Sequence, residues 1–287
     1  MTDRPEPVWA TLSGTAIGSV HVRSGAPLQD AVLTWSDPAR GRAVVAVADG
    51  HGHRLHFRSD TGAALAVGCA VEELRRVLPE LAAADDAARE IARRAGAAIV
   101  ATWAERVEQH LATHPYTPAE RELGAADSPR RAYGSTIVAA AAAGDVLVFV
   151  QIGDGDAVVV TADGTVARPL PEDPSLDGVH TTSLCQPDPL EALRVGVVDA
   201  ADRVADGVAD GVADGVVLAY LCTDGFGRAR VDADGWWRRT GEQLLELTRA
   251  RGVDWVREQL PGWLAEPALV GGDDTSMALL VRAGYLG

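Results

Sequence analysis

Carboxylates at the ends of apolar runs are the residues of this chain best suited to chemistry. Residues 44–52 read VVAVADGHG, a strand-like apolar stretch that stops at Asp49, Gly50 and His51. A strand ending in Asp-Gly projects a carboxylate and an unobstructed carbonyl from the end of a sheet, where a hard divalent cation can collect both. Taken alone, an Asp-Gly pair is also a common turn. The device recurs at 217–225, VLAYLCTDG, which ends in Asp224 and Gly225. In 271–281, GGDDTSMALLV, Asp273 and Asp274 stand at the start of an apolar run, and in 24–35, SGAPLQDAVLTW, Gln29 and Asp30 open another. Strands of one sheet or sandwich can bring such ends together from distant points of the sequence.

Clustered carboxylates repel unless a cation joins them or some take up protons. Oxygen donors, with no Cys or His at ligand spacing, favour Mg²⁺ or Mn²⁺ over Zn²⁺ or copper. Two such ions about 3.5–4 Å apart activate water for in-line displacement at phosphorus. The expected chemistry is therefore phosphoryl hydrolysis.

Six ordered segments resemble the metal-dependent protein serine/threonine phosphatases, the protein phosphatase 2C-like family. They are QDA at 29–31, ADGHG at 48–52, GSTIVAA at 134–140, IGDGDAVV at 152–159, CTDG at 222–225 and GGDDTSMALLV at 271–281. The resemblance implies that Asp49 bridges two Mn²⁺ or Mg²⁺ ions, that the Gly50 carbonyl serves the second, and that Asp224 and Asp273 are the other aspartate ligands. It places Asp30 near the ions through water and gives His51 the role of general acid toward the departing seryl or threonyl oxygen. An imidazole suits that role near neutral pH. The implied partners are a phosphorylated protein substrate and a serine/threonine kinase that acts on it.

This chain departs from the family's pattern at several places. Gln29 stands where many members have Glu, which removes one negative charge beside the ions. Gly25 stands where many have an arginine that holds the substrate phosphate, and Arg23 and His21 are the nearby candidates for that task. Arg131 aligns with a third-metal aspartate, and Asp156 follows Gly155 where many members have Ser-Arg. Gln-Asp after a Gly-x-x-His segment, here Gly18 to His21, resembles a bacterial subset. Two other functions stay open on these residues: a phosphatase-like regulatory or binding module with little turnover, and a hydrolase of small phosphate esters.

A chain of 287 residues with 47% hydrophobic content can bury a large core as one domain. Residues 1–287 are expected to form one catalytic domain, with a flap at 172–190 and a loop at 202–215 that contains three VADG repeats. A formal net charge of −15 argues against nucleic acid or an anionic membrane surface as partner. All 26 basic residues are arginine, as expected of a GC-rich bacterial coding sequence. Cys69, Cys185 and Cys222 are widely spaced and read as reduced thiols. The start of the chain has no apolar signal region and no uncharged apolar run reaches membrane-spanning length, so a cytoplasmic protein is expected.

The elements that must position the carboxylates follow from periodicity. Strands are expected at 16–23, 30–36, 43–49, 135–142, 145–152 and 156–162. Helices are expected at about 61–79, with Ala64, Val67, Ala70, Val71, Leu74 and Leu78 on one face, and at about 86–112, with Ile91, Ile99, Trp103 and Val107 inward. Two shorter helices, split near Gly252, are expected over about 240–264. Strands followed by helices and again by strands indicate an α+β class. The resemblance implies two antiparallel β-sheets packed as a sandwich with helices on the outer faces, the metals lying at one end.

Overall fold

Residues 42–48 form a strand whose side chains alternate between two apolar surroundings, and that alternation organises the molecule. Ala43, Val45 and Val47 face one buried cluster, while Val44, Ala46 and Ala48 face another. The strand therefore reads as an unbroken apolar run, because both faces of its sheet are covered. The computed structural model describes residues 8–84, 87–125, 128–173, 176, 181–201, 215–229 and 235–284.

In chain order the elements are β1 (Val8–Ala16), α1 (Ser19–Ser24), β2 (Ala31–Asp37), β3 (Arg42–Ala48), α2 (Ser59–Leu81) and α3 (Ala88–Thr113). There follow α4 (Pro118–Glu120), β4 (Ile137–Ala143), β5 (Val146–Ile152), β6 (Asp156–Thr161), β7 (Val166–Ala167) and β8 (Arg194–Asp199). The chain then forms β9 (Val216–Cys222), α5 (Asp224–Arg228), α6 (Trp236–Arg251), α7 (Val253–Gly271) and β10 (Thr275–Ala283). One sheet has the order β1-β10-β9-β6-β7 and the other β2-β3-β4-β5-β8, every pairing antiparallel.

Three apolar layers join four layers of structure. Trp9, Val45, Phe149, Val159, Leu221 and Leu280 meet between the two sheets. Val44, Leu74, Ile99, Trp103 and Val150 fill the space between the second sheet and α2 with α3. Leu12, Tyr220, Trp236, Leu244, Leu260 and Leu279 fill the space between the first sheet and α6 with α7. The fold is the α+β sandwich expected, with helices outside both sheets.

Three local expectations differ. Residues 16–23 do not form a strand: β1 ends at Ala16, and 19–24 turn into α1, capped by Gly25 at φ 70°. The backbone N–H of Gly18 donates to Asp274 and that of Val20 to the Gly272 carbonyl, which draws the chain off the sheet. Ala64 is exposed, and Ala63 and Ala66 take the inward positions of α2. The first of the two helices expected from about 240 begins at Trp236, which is buried edge-on against Phe226. The three cysteines are unpaired. Among the described residues no helix is long and apolar enough to cross a membrane. The repeats at 204–215 lie outside the described residues apart from Gly215, as do 174–175 and 177–180 of the expected flap.

Candidate metal centre

The turn that follows β3 is built by a second segment of chain. Thr136 donates its backbone N–H to the Asp49 carbonyl at 2.9 Å, and its Oγ1 accepts the Asp49 N–H at 3.0 Å. The His51 N–H donates to the Gly134 carbonyl at 3.1 Å, and Gly50 forms a bridge with Ser135. Gly134-Ser135-Thr136 thus pairs with the backbone of Asp49, Gly50 and His51 and leaves the Asp49 and His51 side chains to the site. A Cβ at Gly134 would lie 2.3 Å from His56 Nδ1 and 2.8 Å from His51, and one at Gly50 would lie 2.5 Å from the Gln29 carbonyl oxygen. Both positions exclude any larger residue.

Two more strand ends are tied beside this turn. Thr223, between β9 and α5, donates its N–H to the Ser276 carbonyl, and its Oγ1 accepts from the Ser276 N–H at 2.9 Å. The same hydroxyl donates to Asp30 Oδ2 at 2.7 Å, which fastens the start of β2 to the end of β9. Asp224 opens α5 with Asp273 close by, since a Cβ on Gly225 would lie 3.3 Å from the Asp273 Cβ. Asp154 joins them from the Gly153-Asp154-Gly155 turn after β5.

Asp49, Asp154 and Asp224 can each offer a carboxylate oxygen within 4.8 Å of the others. The electrostatics are those of a site short of positive charge. Burial, then the carboxylates of Asp224, Asp30, Asp273 and Asp154, push Asp49 well above the usual carboxylate range. Burial likewise raises Asp30, and burial with the Asp154 carboxylate raises Asp224 to about 6, partly offset by the Arg228 guanidinium. Oxygen donors from several elements, desolvated and mutually repelling, fit a hard divalent ion such as Mn²⁺ or Mg²⁺. The cluster borders a cleft of about 530 Å³ that Asp154, Asp156, Arg168, Arg194 and Arg228 also line. A cavity of similar size between α6 and α7 lies apart from these carboxylates.

The remaining sequence-derived candidates occupy distinct places around the cluster. His51 Nε2 is 2.8 Å from Ser183 Oγ, and its ring meets His56 edge-on at 4.9 Å. Burial, reinforced by His56 and opposed by Asp154, lowers the His51 pKa to about 4. Gln29 donates its Nε2 to Ser59 Oγ at 2.8 Å and its backbone N–H to Asp274 Oδ2 at 2.6 Å. His21 Nδ1 stands 2.9 Å from Asp274 Oδ1 without hydrogen-bond alignment. Arg23 turns back along α1, donating to Ser19 Oγ at 3.1 Å.

Three residues of the site were given no role in the sequence reading. Asp154 carried a legible signal, an apolar run ending in Gly-Asp-Gly, the same device as at Asp49. Asp274, 2% exposed, holds the N–H groups of Gly18 and Gln29 and so anchors the loops on both sides of α1. Arg228 reaches Asp224 and Asp154. The contacts of Asp274 with Gly18 and Gln29 and that of Arg228 with Asp154 join residues at least 74 positions apart, beyond any local pattern.

The fold is shared with solved structures. PppA, described as a key regulatory component of T6SS in Pseudomonas aeruginosa, superposes with a TM-score of 0.57 at 20% identity, over 96% of this chain and 99% of that one. The catalytic domain of the serine/threonine protein phosphatase PstP, in complex with two manganese ions, gives 0.56 at 16% identity, over 96% and 98%. The S. agalactiae serine/threonine phosphatase gives 0.56 at 18%, over 96% and 99%. No curated protein matches the chain in sequence. The family model for protein phosphatase 2C matches residues 17–265, which include Asp49, Asp154 and Asp224, and on that match the chain belongs to the protein phosphatase 2C family.

Proposed function

We propose that this chain is one catalytic domain that hydrolyses phosphoserine and phosphothreonine in proteins, with two Mn²⁺ or Mg²⁺ ions as cofactor. The observation that carries the reading is the convergence of the Asp49 and Asp224 carboxylates within 4.8 Å, with Asp30 and Asp273 near enough to raise the Asp49 pKa. Asp49, the Gly50 carbonyl, Asp224 and Asp273 would hold the ions, with Asp30 and Gln29 ordering their water. Bound there, such ions activate water and stabilise charge developing at phosphorus. The chain's own groups supply the rest. Thr136 and Gly134 hold the nucleophile-side turn rigid, and Ser183 holds the His51 ring in one orientation.

In its buried setting His51 is neutral at neutral pH, with a pKa near 4. An arriving phosphate dianion is the opposite charge that favours the imidazolium, which can then protonate the leaving seryl or threonyl oxygen. Arg23 and His21, on α1 beside the Gln29 loop, are the candidate phosphate holders, and the protein substrate would be a target of a serine/threonine kinase. One observation favours a second reading, a phosphatase-like module with little turnover: Arg228 already bridges two of the carboxylates. Turnover of a phosphothreonine peptide and of an aryl phosphate, each with and without Mn²⁺, separates the possibilities. Mn²⁺-dependent release from the peptide at a clearly higher kcat/KM supports a protein phosphatase. Preference for the aryl phosphate marks a small-ester hydrolase, and no turnover of either marks the binding module.

A further inference from the structure

Arg228 closes α5 one turn after Asp224, and its guanidinium forks between two carboxylates. Nη1 is 2.6 Å from Asp224 Oδ2, and Nη2 is 2.9 Å from Asp154 Oδ2. The other oxygen of Asp154 accepts from Thr181 Oγ1 at 2.8 Å, so both oxygens of this carboxylate are engaged by protein donors. Asp49 has a different environment, with the carboxylates of Asp224, Asp30, Asp273 and Asp154 as its charged neighbours. The acidic cluster is therefore divided. One side already contains a cation, and on the other the charged groups that act most on Asp49 are carboxylates.

A guanidinium is planar, permanently charged and able to bridge two carboxylates with a hydrogen bond to each, roughly twice as strong as a neutral one. A Mn²⁺ or Mg²⁺ ion needs carboxylate oxygens at about 2.0–2.2 Å. It cannot take the same lone pairs of Asp154 and Asp224 while the guanidinium lies against them. We propose that Arg228 is a tethered cation that occupies the Asp154–Asp224 side of the centre and limits the number of divalent ions the cluster admits. Asp154 then serves Arg228 and not an ion. The metals are confined to the side of Asp49, Asp224 and Asp273. This assignment rests on the reading of the cluster as a metal centre.

The test counts Mn²⁺ bound per chain by equilibrium dialysis of EDTA-stripped protein, with electron paramagnetic resonance of the free ion as a second measure. Arg228→Ala should bind one more ion per chain than wild type. Asp154→Asn alone should leave the wild-type count unchanged, and in the Arg228→Ala background it should remove the added ion. Equal non-zero counts in wild type and a folded Arg228→Ala overturn the proposal, and so does a lower count in Asp154→Asn. A raised KM for phosphopeptide in Arg228→Ala with the count unchanged would instead assign Arg228 to the substrate phosphate and overturn it too. Should Arg228→Ala fail to fold, Arg228→Met takes its place in the same count, with the same two outcomes. Wild type binding no Mn²⁺ at millimolar concentration removes the metal-centre reading and this proposal together, an outcome distinct from equal counts.

Discussion

Asp49 stands where burial and four other carboxylates all oppose its charge. In metal-free protein that charge is a liability, and with divalent ions bound it becomes the means of holding them. Asp49→Asn should therefore raise the melting temperature of EDTA-treated protein while abolishing most of the rise that Mn²⁺ gives the wild type. Scanning calorimetry with and without metal checks both signs, and a variant that is less stable without metal and equally responsive to it would count against the centre. Gln29 offers a finer probe. Its amide donates to Ser59 Oγ, and a Glu could accept from that hydroxyl while adding a carboxylate beside Gly52, whose Cβ position is 3.7 Å from Gln29 Oε1. Gln29→Glu should lower the Mn²⁺ concentration for half-maximal activity about tenfold, or about 1.4 kcal/mol. A titration overlaying that of wild type would show that this side chain does not sense the ions. At this scale the sequence was informative where one strand end carried one carboxylate, as at Asp49 and Asp224. It was silent on which of the paired Asp273 and Asp274 turns inward to organise loops, because adjacent residues differ only in the contacts that folding supplies.

At the scale of elements, the site depends on turns that tolerate no side chain. Gly134 is one such case, since a Cβ there would press on His56, whose Nδ1 is held 2.5 Å from the Arg131 carbonyl oxygen. Gly134→Ala should lower stability by about 1–3 kcal/mol, the range for an added methyl in a packed region. It should reduce turnover beyond that by displacing His51. Urea denaturation and phosphopeptide kinetics measure the two effects. A variant of wild-type stability and turnover would contradict the close packing of this turn. Long elements were legible because their patterns are long: α2 and α3 bury stripes at helical spacing, and β3 to β6 each contain an unbroken run of at least four apolar residues. α1 was not, since Val20 and Val22 alternate like a strand and are exposed at 50% and 61%. Only the contacts of Gly18 and Val20 with residues 272–274 reveal that the chain leaves the sheet there.

At the scale of the molecule, two five-stranded sheets bring the ends of β3, β5 and β9 and the starts of β2 and β10 to one end of the sandwich. Residues 30, 49, 154, 224 and 273 become neighbours there, although no two are within 18 positions in sequence. Ions that bind only this assembled state must stabilise it. At a free Mn²⁺ concentration 100 times the dissociation constant the stabilisation should be about 2.7 kcal/mol, and EDTA should reverse it. Unfolding midpoints in denaturant that do not move with metal would deny the linkage. The central claim, that this end of the sandwich is a divalent-metal centre, is met most directly by calorimetric titration of Mn²⁺ into EDTA-stripped wild type and a folded Asp49→Asn/Asp224→Asn variant. The account predicts saturable binding to the wild type and none to the double variant. Equal binding by both proteins, or no binding by the wild type, would contradict it.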